Sequence, residues 1–169
     1  MELEGARVLV AGATGVLGGH ISRALHGEGA HLMLAGRNSE ALESIGSDLS
    51  AATASFDATH SEDCSALITR AVEELGGLDA LFIAYGIVAF GEEADTDDAV
   101  TRDLFQINTL APIAMLRAAA SEVAEGGAVA ALTAVTAEYP TAGMASYSAS
   151  KVALSAWMQA ARSGFRRRR

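Results

Sequence analysis

Residues 7–18 read Arg-Val-Leu-Val-Ala-Gly-Ala-Thr-Gly-Val-Leu-Gly, and this junction indicates how the rest of the chain is built. The run Arg7–Ala11 is short, apolar and partly β-branched, which is typical of a strand buried on both faces of a parallel sheet. Beyond the glycines, apolar residues recur at helical spacing as far as Leu25, and Gly27 and Gly29 end that pattern. The stretch therefore predicts a strand, a tight glycine turn and a helix.

The same alternation continues along the chain. Strand patterns lie at 31–35, 53–56, 78–84 and 128–133, and helical patterns lie at 39–49, 61–75 and 146–165, with an acidic loop near 92–98 and helical stretches from there to about 123. Strands separated by helix-length connections imply right-handed crossovers and a parallel sheet with helices on both faces. We therefore predict a Rossmann-type α/β fold, a doubly wound parallel sheet of about five strands in the order 3-2-1-4-5. Residues 1–165 are predicted to form one domain, followed by a solvated basic tail at 166–169.

Composition excludes several classes of protein. Half of the 169 residues are hydrophobic and 20% are charged, which excludes a disordered chain, and the formal net charge of −9 disfavours nucleic acid as a partner. Glu2 and Glu4 stand where a signal peptide would be basic, and no apolar run approaches the ~20 residues that cross a bilayer. Cys64 is the single cysteine, which favours a reducing compartment. We expect a cytoplasmic protein without a membrane partner.

The sequence lacks the signatures of a metal site and of a serine hydrolase site. The four histidines have no metal-ligand spacing with Cys64 or with one another, so no metal site is predicted. No serine stands in a Gly-x-Ser-x-Gly turn, so a hydrolase of that kind would have no nucleophile.

The glycine turn between the first strand and the first helix is a candidate cofactor site. One glycine permits the tight turn, a second admits a phosphate close to the backbone, and a third lets helix and strand approach closely. The free amides and the dipole at the start of the helix favour an anion. The candidate cofactor-binding residues of this turn are Gly12, Thr14, Gly15, Val16, Leu17 and Gly18.

The end of the second strand bears on the choice between NAD and NADP. A carboxylate at this point would bind the ribose 2′-hydroxyl and repel a 2′-phosphate. The sequence here is Leu34-Ala-Gly-Arg-Asn38, which has no acid, and Arg37 offers paired donors and positive charge to a phosphate. The pattern favours NADP over NAD, although Arg37 is also consistent with an exposed residue at a helix start.

Two further strand ends supply cofactor candidates. Asp57 follows the third strand, where its carboxylate could accept a hydrogen bond from an adenine amino group or cap the next helix. Ala84 and Gly86 follow the fourth strand, where small residues let a flat dinucleotide lie against the backbone. Tyr85 between them is bulkier than such a passage needs.

Tyr147-Ser-Ala-Ser-Lys151 carries the catalytic signal. The phenol and the ammonium stand four residues apart on a predicted helix, so both project from one face, and Lys151 is the only lysine in the chain. A free phenol is a poor acid at neutral pH, and a cation ~4 Å away stabilises its ionised form by at most roughly 4 kcal/mol. The pair is therefore a candidate acid-base group that also contacts the cofactor.

The sequence resembles the short-chain dehydrogenase/reductase family from about Leu3 to Phe165. The most specific element is the Tyr-x-x-x-Lys motif of Tyr147 and Lys151, which follows a matching asparagine, Asn108, by one strand and one helix. The resemblance implies a Rossmann fold, a nicotinamide cofactor and hydride exchange with a carbonyl compound or an alcohol. It also implies that Tyr147 passes a proton to or from the substrate oxygen. Lys151 would hold the nicotinamide ribose and make Tyr147 more acidic, and Asn108 would support a water-linked proton path.

Three positions depart from the family pattern. The glycine spacing is nearer the extended branch of the family, and Ile83-Ala-Tyr-Gly86 stands where Asn-Asn-Ala-Gly is usual. The family's catalytic serine, thirteen residues before the tyrosine, is replaced by Ala134. Thr133 is the nearest hydroxyl, and a one-residue shift of the loop would aim it at the substrate oxygen. Thr133 is therefore a fourth catalytic candidate, although a simple strand residue explains it equally.

Two functions are consistent with these features. The first is an NADP-dependent oxidoreductase acting on a small carbonyl compound or secondary alcohol. The alternative is a truncated, catalytically weak or inactive dinucleotide-binding protein, because family members usually continue beyond the last predicted helix into strands and a substrate lid.

The last predicted helix carries an apolar stripe formed by Leu154, Trp157, Met158 and Ala161. In the family, this helix and the long one before it commonly form a dimer interface, which implies a homodimer or tetramer. Packing of the stripe on its own sheet is the other interpretation.

Overall fold

A computed structural model of the chain describes residues 2–91 and 97–167. Strands alternate with helices along it in the predicted way. The elements are β1 (Arg7–Ala11), α1 (Val16–Gly27), β2 (His31–Gly36), α2 (Ser39–Asp48), β3 (Ala52–Ser55), α3 (Ser61–Leu75), β4 (Leu78–Ile83), α4 (Asp98–Phe105), a π turn (Gln106–Leu110), α5 (Ala111–Glu122), β5 (Val123–Ala131), a 3₁₀ turn (Val135–Ala137) and α6 (Ala145–Arg167). Residues 92–96 of the predicted acidic loop, and the side chains of the predicted basic tail at 166–169, lie outside the described part.

The strands form one parallel sheet in the order β3-β2-β1-β4-β5. β1 lies at the centre, where Val8 pairs with Leu32 of β2 on one side and with Ala80 of β4 on the other. The strand order reverses between β1 and β4, so their carboxyl ends border a crevice suited to ligands. The sheet confirms the predicted Rossmann-type fold.

Helices cover both faces of the sheet and bury two apolar cores. Along β1, Leu9 and Ala11 belong to the core shared with α3, α5 and α6, whereas Val8 and Val10 belong to the core shared with α1 and α2. This division follows from the two-residue period of a strand, whose successive side chains point to opposite faces. A run that is apolar at every position is therefore required at the centre of the sheet.

The strand β5 begins at Val123, five residues before the predicted start at 128. Its register with β4 shifts between Leu78, which pairs with Val123, and Ala80, which pairs with Ala128. The intervening residues bulge out, and Gly126 adopts a positive φ of 79° there. Such a glycine-rich bulge has the sequence pattern of a turn, which explains the late prediction.

The helical segment before β5 is interrupted. The prediction of helical stretches up to 123 holds for α4 and α5, but a π turn over Gln106–Leu110 separates them. Such turns insert an extra residue per helical turn and are frequent at functional sites. This one contains Asn108.

An ion pair joins Arg7, the first residue of β1, to Asp79, the second residue of β4. The Arg7 guanidinium donates to both carboxylate oxygens of Asp79, with Nε to Oδ2 at 2.8 Å and Nη2 to Oδ1 at 2.9 Å, and the Arg7 main-chain N–H donates to the same Oδ2 at 2.9 Å. The Arg7 side-chain bond, with the backbone bond and the nearby positive charge, lowers the pKa of Asp79 to about 2. The carboxylate is therefore held ionised at the edge of the sheet core.

We expect Asp79→Asn to lower the free energy of unfolding at neutral pH by about 1–2 kcal/mol, a value reduced for the partial exposure of the pair. The folded-state pKa of Asp79 lies below its unfolded value, so the contribution is present above the unfolded value of 3.8 and is lost as pH falls towards about 2. Urea unfolding of both proteins at several pH values checks this. A difference that stays constant between about pH 5 and pH 3 would contradict it.

Candidate functional site

A cleft of about 270 Å³ lies at the carboxyl ends of β1 to β4. Its walls come from the glycine turn, the residues after β2 and β3, and the segment after β4. The candidate residues Gly12, Thr14, Gly15, Arg37, Asp57, Ala84 and Gly86 line it together. Residues separated along the sequence therefore meet at one edge, where a parallel α/β sheet binds its ligands.

The glycine turn brings backbone against backbone. Gly12 has a φ of 94°, and a Cβ added there would lie 2.7 Å from the main-chain nitrogen of Tyr85. A Cβ added at Gly18 would overlap the carbonyl oxygen of Gly12, so α1 can approach β1 only through glycine. Val16 and Leu17 form the exposed first turn of α1, whose leading amides have no partner within the helix. The start of α1 therefore has N–H donors without helical partners, as an anion site requires.

A cation and a carboxylate face one another across the cleft. Arg37 is exposed directly after β2, and Asn38 beside it caps α2 by accepting from Ala41 N at 3.0 Å. The Asp57 carboxylate accepts from Thr59 N at 2.9 Å. The pKa of Asp57 is lowered, chiefly by that backbone bond, with a smaller contribution from the positive charge of Arg37. Asp57 therefore orders its own turn rather than capping α3, which begins at Ser61.

Tyr85 fills space beneath the cleft. Its ring packs edge-on against Phe56 with centroids 5.3 Å apart, and its hydroxyl donates towards Sδ of Met115 at 3.8 Å. Burial raises the pKa of Tyr85 well above its usual value. The Tyr85 ring, which is bulkier than a passage for a dinucleotide needs, therefore points into the core. Phe56 is a cleft residue that the sequence analysis missed, and its position next to Asp57 was the available signal.

The Tyr147 and Lys151 pair lies in the first two turns of α6. Lys151 is 5% exposed, and its Nζ donates to the carbonyl oxygen of Leu132 at 3.3 Å. Burial lowers the pKa of Lys151. A Cβ added at Gly86 would lie 3.0 Å from that Nζ and 2.8 Å from Oδ1 of Asn108. The backbone after β4, the ammonium and the amide therefore converge, with the half-buried Tyr147 one helical turn from Lys151.

The side chain of Asn108 joins the segment after β4 to α6 by hydrogen bonds. Its Oδ1 accepts from Ile87 N at 2.9 Å, and its Nδ2 donates to Ile87 O at 2.9 Å and to Ser150 Oγ at 3.1 Å. Both polar ends of the amide are therefore used to hold the segment after β4 against α6. The partners Ile87 and Ser150 were missed by the sequence analysis, because a contact between a loop and a π turn leaves no spacing signal.

Thr133 and Ala134 follow β5 in extended backbone. Thr133 is exposed, whereas Ala134 is half-buried and has φ −151° and ψ 156°. Neighbouring side chains in extended backbone point to opposite sides. Only one of the two positions can therefore face the phenol of Tyr147.

The stripe on α6 packs largely on its own chain. Leu154 is 1% exposed within the core, and Trp157 and Met158 pack against that core. A groove of about 440 Å³ opens between Trp157, Phe165 and the outer side of β5. It is larger than the cleft but contains none of the candidate catalytic residues. The dimer or tetramer through the last two long helices stays a prediction.

Cys64 is fully buried, and burial raises the pKa of its thiol to about 11, as fits a packing residue. Within residues 2–91 and 97–167, histidine, cysteine and acidic side chains form no group of three that could hold a metal ion. No helix in the same ranges has the length and apolar character needed to span a membrane.

Comparison with known proteins connects this site to a family. A family model described as short chain dehydrogenase matches residues 6–169. The Mus musculus protein named Dehydrogenase/reductase SDR family member 7B is 29% identical over 171 aligned positions, covering 95% of this chain and 53% of that protein. The chain spans about half the length of the curated relatives of this name from mouse and rat that it matches.

Solved structures agree with the family model. A short chain dehydrogenase from Burkholderia cenocepacia J2315, in complex with NADP, superposes with a TM-score of 0.92 at 27% identity over 99% of this chain and 71% of that one. A short chain dehydrogenase/reductase from Burkholderia phymatum, in complex with NAD, gives a TM-score of 0.88 at 21% identity over 95% of this chain and 60% of that one. At this lower identity the likeness concerns the fold alone.

Proposed function

Because the chain belongs to the short-chain dehydrogenase/reductase family, we propose that it is an NADP-dependent oxidoreductase acting on a carbonyl compound or secondary alcohol. The observation that carries the proposal is the convergence of Lys151 Nζ, Asn108 and the backbone at Gly86 beside Tyr147. A merely structural helix would not require a buried lysine at this edge of the sheet, where burial of an ammonium is costly.

The residues present fit a nicotinamide dinucleotide. The glycines at 12 and 18 keep side chains out of the turn, and the first amides of α1 have no partner within the helix, which suits a pyrophosphate. Arg37 and Asp57 border the part of the cleft that an adenosine would enter, and the Arg37 guanidinium suits a 2′-phosphate. The dinucleotide, when bound, supplies or accepts the hydride. The relative solved with NADP supports the same class of cofactor.

The chain's own residues handle the proton. In the reducing direction the Tyr147 hydroxyl donates its proton to the carbonyl oxygen as the hydride reaches the carbonyl carbon, and in the oxidising direction it takes that proton back. Lys151 is buried one helical turn from Tyr147, and its ammonium is held by Leu132 O at the edge of the site. Asn108 is a positioning residue that fixes Ile87 and therefore the wall of the site. Thr133 supplies the second donor to the substrate oxygen.

We expect Arg37→Ala to raise the Kd for NADPH by about tenfold and to leave the Kd for NADH almost unchanged, because a guanidinium contributes a charge-assisted bond only when the 2′-phosphate is present. Fluorescence titration with both dinucleotides measures this. Arg70→Ala is the matched control, because Arg70 is an exposed arginine on α3 that does not line the cleft. Equal weakening of both dinucleotides by Arg37→Ala would contradict a phosphate-binding role.

The proposed function itself is tested with purified protein and a panel of uncharged aldehydes and ketones. Binding of NADPH, followed by carbonyl-dependent oxidation of NADPH, is the expected result. A protein that binds neither NADPH nor NADH would overturn the proposal.

Ala134 favours a second candidate function, a dinucleotide-binding protein with little or no turnover. The family's serine hydroxyl is missing at this position, and one such donor is worth a large part of the rate. If the protein binds NADPH tightly and shows no turnover that is lost on replacing Tyr147, the second candidate is supported over the first.

A further inference from the structure

Exposed apolar side chains concentrate on two loops. In the described part of the chain, the segment after β4 exposes Val88 and Phe90, and the segment after β5 exposes Leu132, Val135 and Tyr139. Phe90, Val135 and Tyr139 are each about three-quarters exposed (76%, 77% and 75%). We call these five side chains the apolar rim. Exposed apolar groups scattered over a surface need no explanation, but a cluster of them marks a binding site.

The apolar rim flanks the acid-base pair. Gly91 N donates to Gly143 O at 3.0 Å, which ties the loop of Phe90 to the segment that leads into α6. Phe90 and Tyr147 line the same small recess. On the other side, Leu132 accepts from Lys151 Nζ through its carbonyl oxygen. Each loop therefore has one member of the apolar rim beside the acid-base pair, Phe90 next to Tyr147 and Leu132 next to Lys151.

The rim carries no positive charge. Residues 87–91 and 132–144 contain no lysine or arginine, and Glu138 is their single charged residue. The ammonium of Lys151 is buried and bound to a backbone carbonyl, so it offers no docking point at the rim. A carboxylate or phosphate on the substrate would lose its hydration here without gaining a partner.

We propose that the substrate is an uncharged carbonyl compound or alcohol with an extended aliphatic or aromatic body, and that Phe90 and Tyr139 bind this body. The inference rests on the proposed function, because it assigns the wall of that same site. It excludes acids and phosphate esters as good substrates.

Three ketones test the inference with the NADPH-loaded protein. 2-Octanone, 2-butanone and 7-oxooctanoate share the methyl ketone and differ in chain length or in a terminal carboxylate. We expect kcat/KM for 2-octanone to exceed the values for the other two by about tenfold or more. Phe90→Ala is expected to remove most of the advantage over 2-butanone by raising KM, whereas Val100→Ala, an exposed apolar residue on α4, is the control.

Several outcomes would overturn the inference and leave the proposed function standing. The first is an equal kcat/KM for 2-octanone and 2-butanone, and the second is a higher kcat/KM for 7-oxooctanoate. The third is a change of oligomeric state in Phe90→Ala, measured by sedimentation, without any change in kcat/KM for the ketones. If no ketone turns over, calorimetric binding of 2-octanone to the NADPH complex decides. Binding weakened by Phe90→Ala supports the inference, and absent or unchanged binding overturns it. Loss of NADPH binding itself would mark failure of the proposed function.

Discussion

Replacing Tyr147 by phenylalanine is expected to lower kcat by about 10²- to 10⁴-fold. The substitution removes the oxygen proposed to exchange a proton with the substrate, and it keeps the half-buried ring near the start of α6. Affinity for NADPH should stay near that of the parent protein, because the proposed phosphate and adenosine contacts lie at the glycine turn and at Arg37. Steady-state oxidation of NADPH, together with a separate titration of NADPH, measures the two quantities.

Thr69→Val provides the control, because it removes an exposed hydroxyl from α3, an element that carries none of the candidate site residues. Its kcat should be close to that of the parent protein. If Tyr147→Phe retained most of its activity, Tyr147 would not be the acid-base group. If both substitutions slowed turnover equally, the effect would not be specific to the phenolic oxygen of Tyr147.

The elements predicted best are those with the strongest internal pattern. β1 and α3 begin and end at the predicted residues, because an uninterrupted apolar run and a full helical stripe each specify one structure. β5 was predicted late, since its first half pairs with β4 through a glycine-containing bulge. The π turn around Asn108 was not predicted, because it depends on packing against α6 rather than on local propensity.

The candidate site divides in a similar way. The cofactor residues follow from topology, because the ends of β1 to β4 must meet at one edge of a parallel sheet. Roles that depend on side-chain direction could not be predicted. The side-chain amide of Asn108 donates to the carbonyl oxygen of Ile87, and the ring of Tyr85 points into the core towards Met115. Each of these requires the tertiary packing that a single sequence does not encode in its spacing.

Removal of the Thr133 hydroxyl, which follows β5, has the second large expected effect. Thr133→Val should lower kcat by about 10²-fold, because it exchanges the proposed donor for a methyl group of similar size. The KM for NADPH should not change. Thr141→Val, which removes an exposed hydroxyl later in the same segment, serves as the control and should leave kcat unaltered.

Adding Ala134→Ser to the Thr133→Val variant tests which side of the chain faces the substrate. Extended backbone turns positions 133 and 134 to opposite sides, so a serine at 134 can act only if the loop presents that side to Tyr147. With Thr133 as the donor, the double variant should stay as slow as Thr133→Val. If Thr133→Val alone were as fast as the parent protein, and adding Ala134→Ser raised kcat by about tenfold or more, residue 134 would hold the donor to the substrate oxygen. Ala134 would then be the cause of weak turnover in the parent protein.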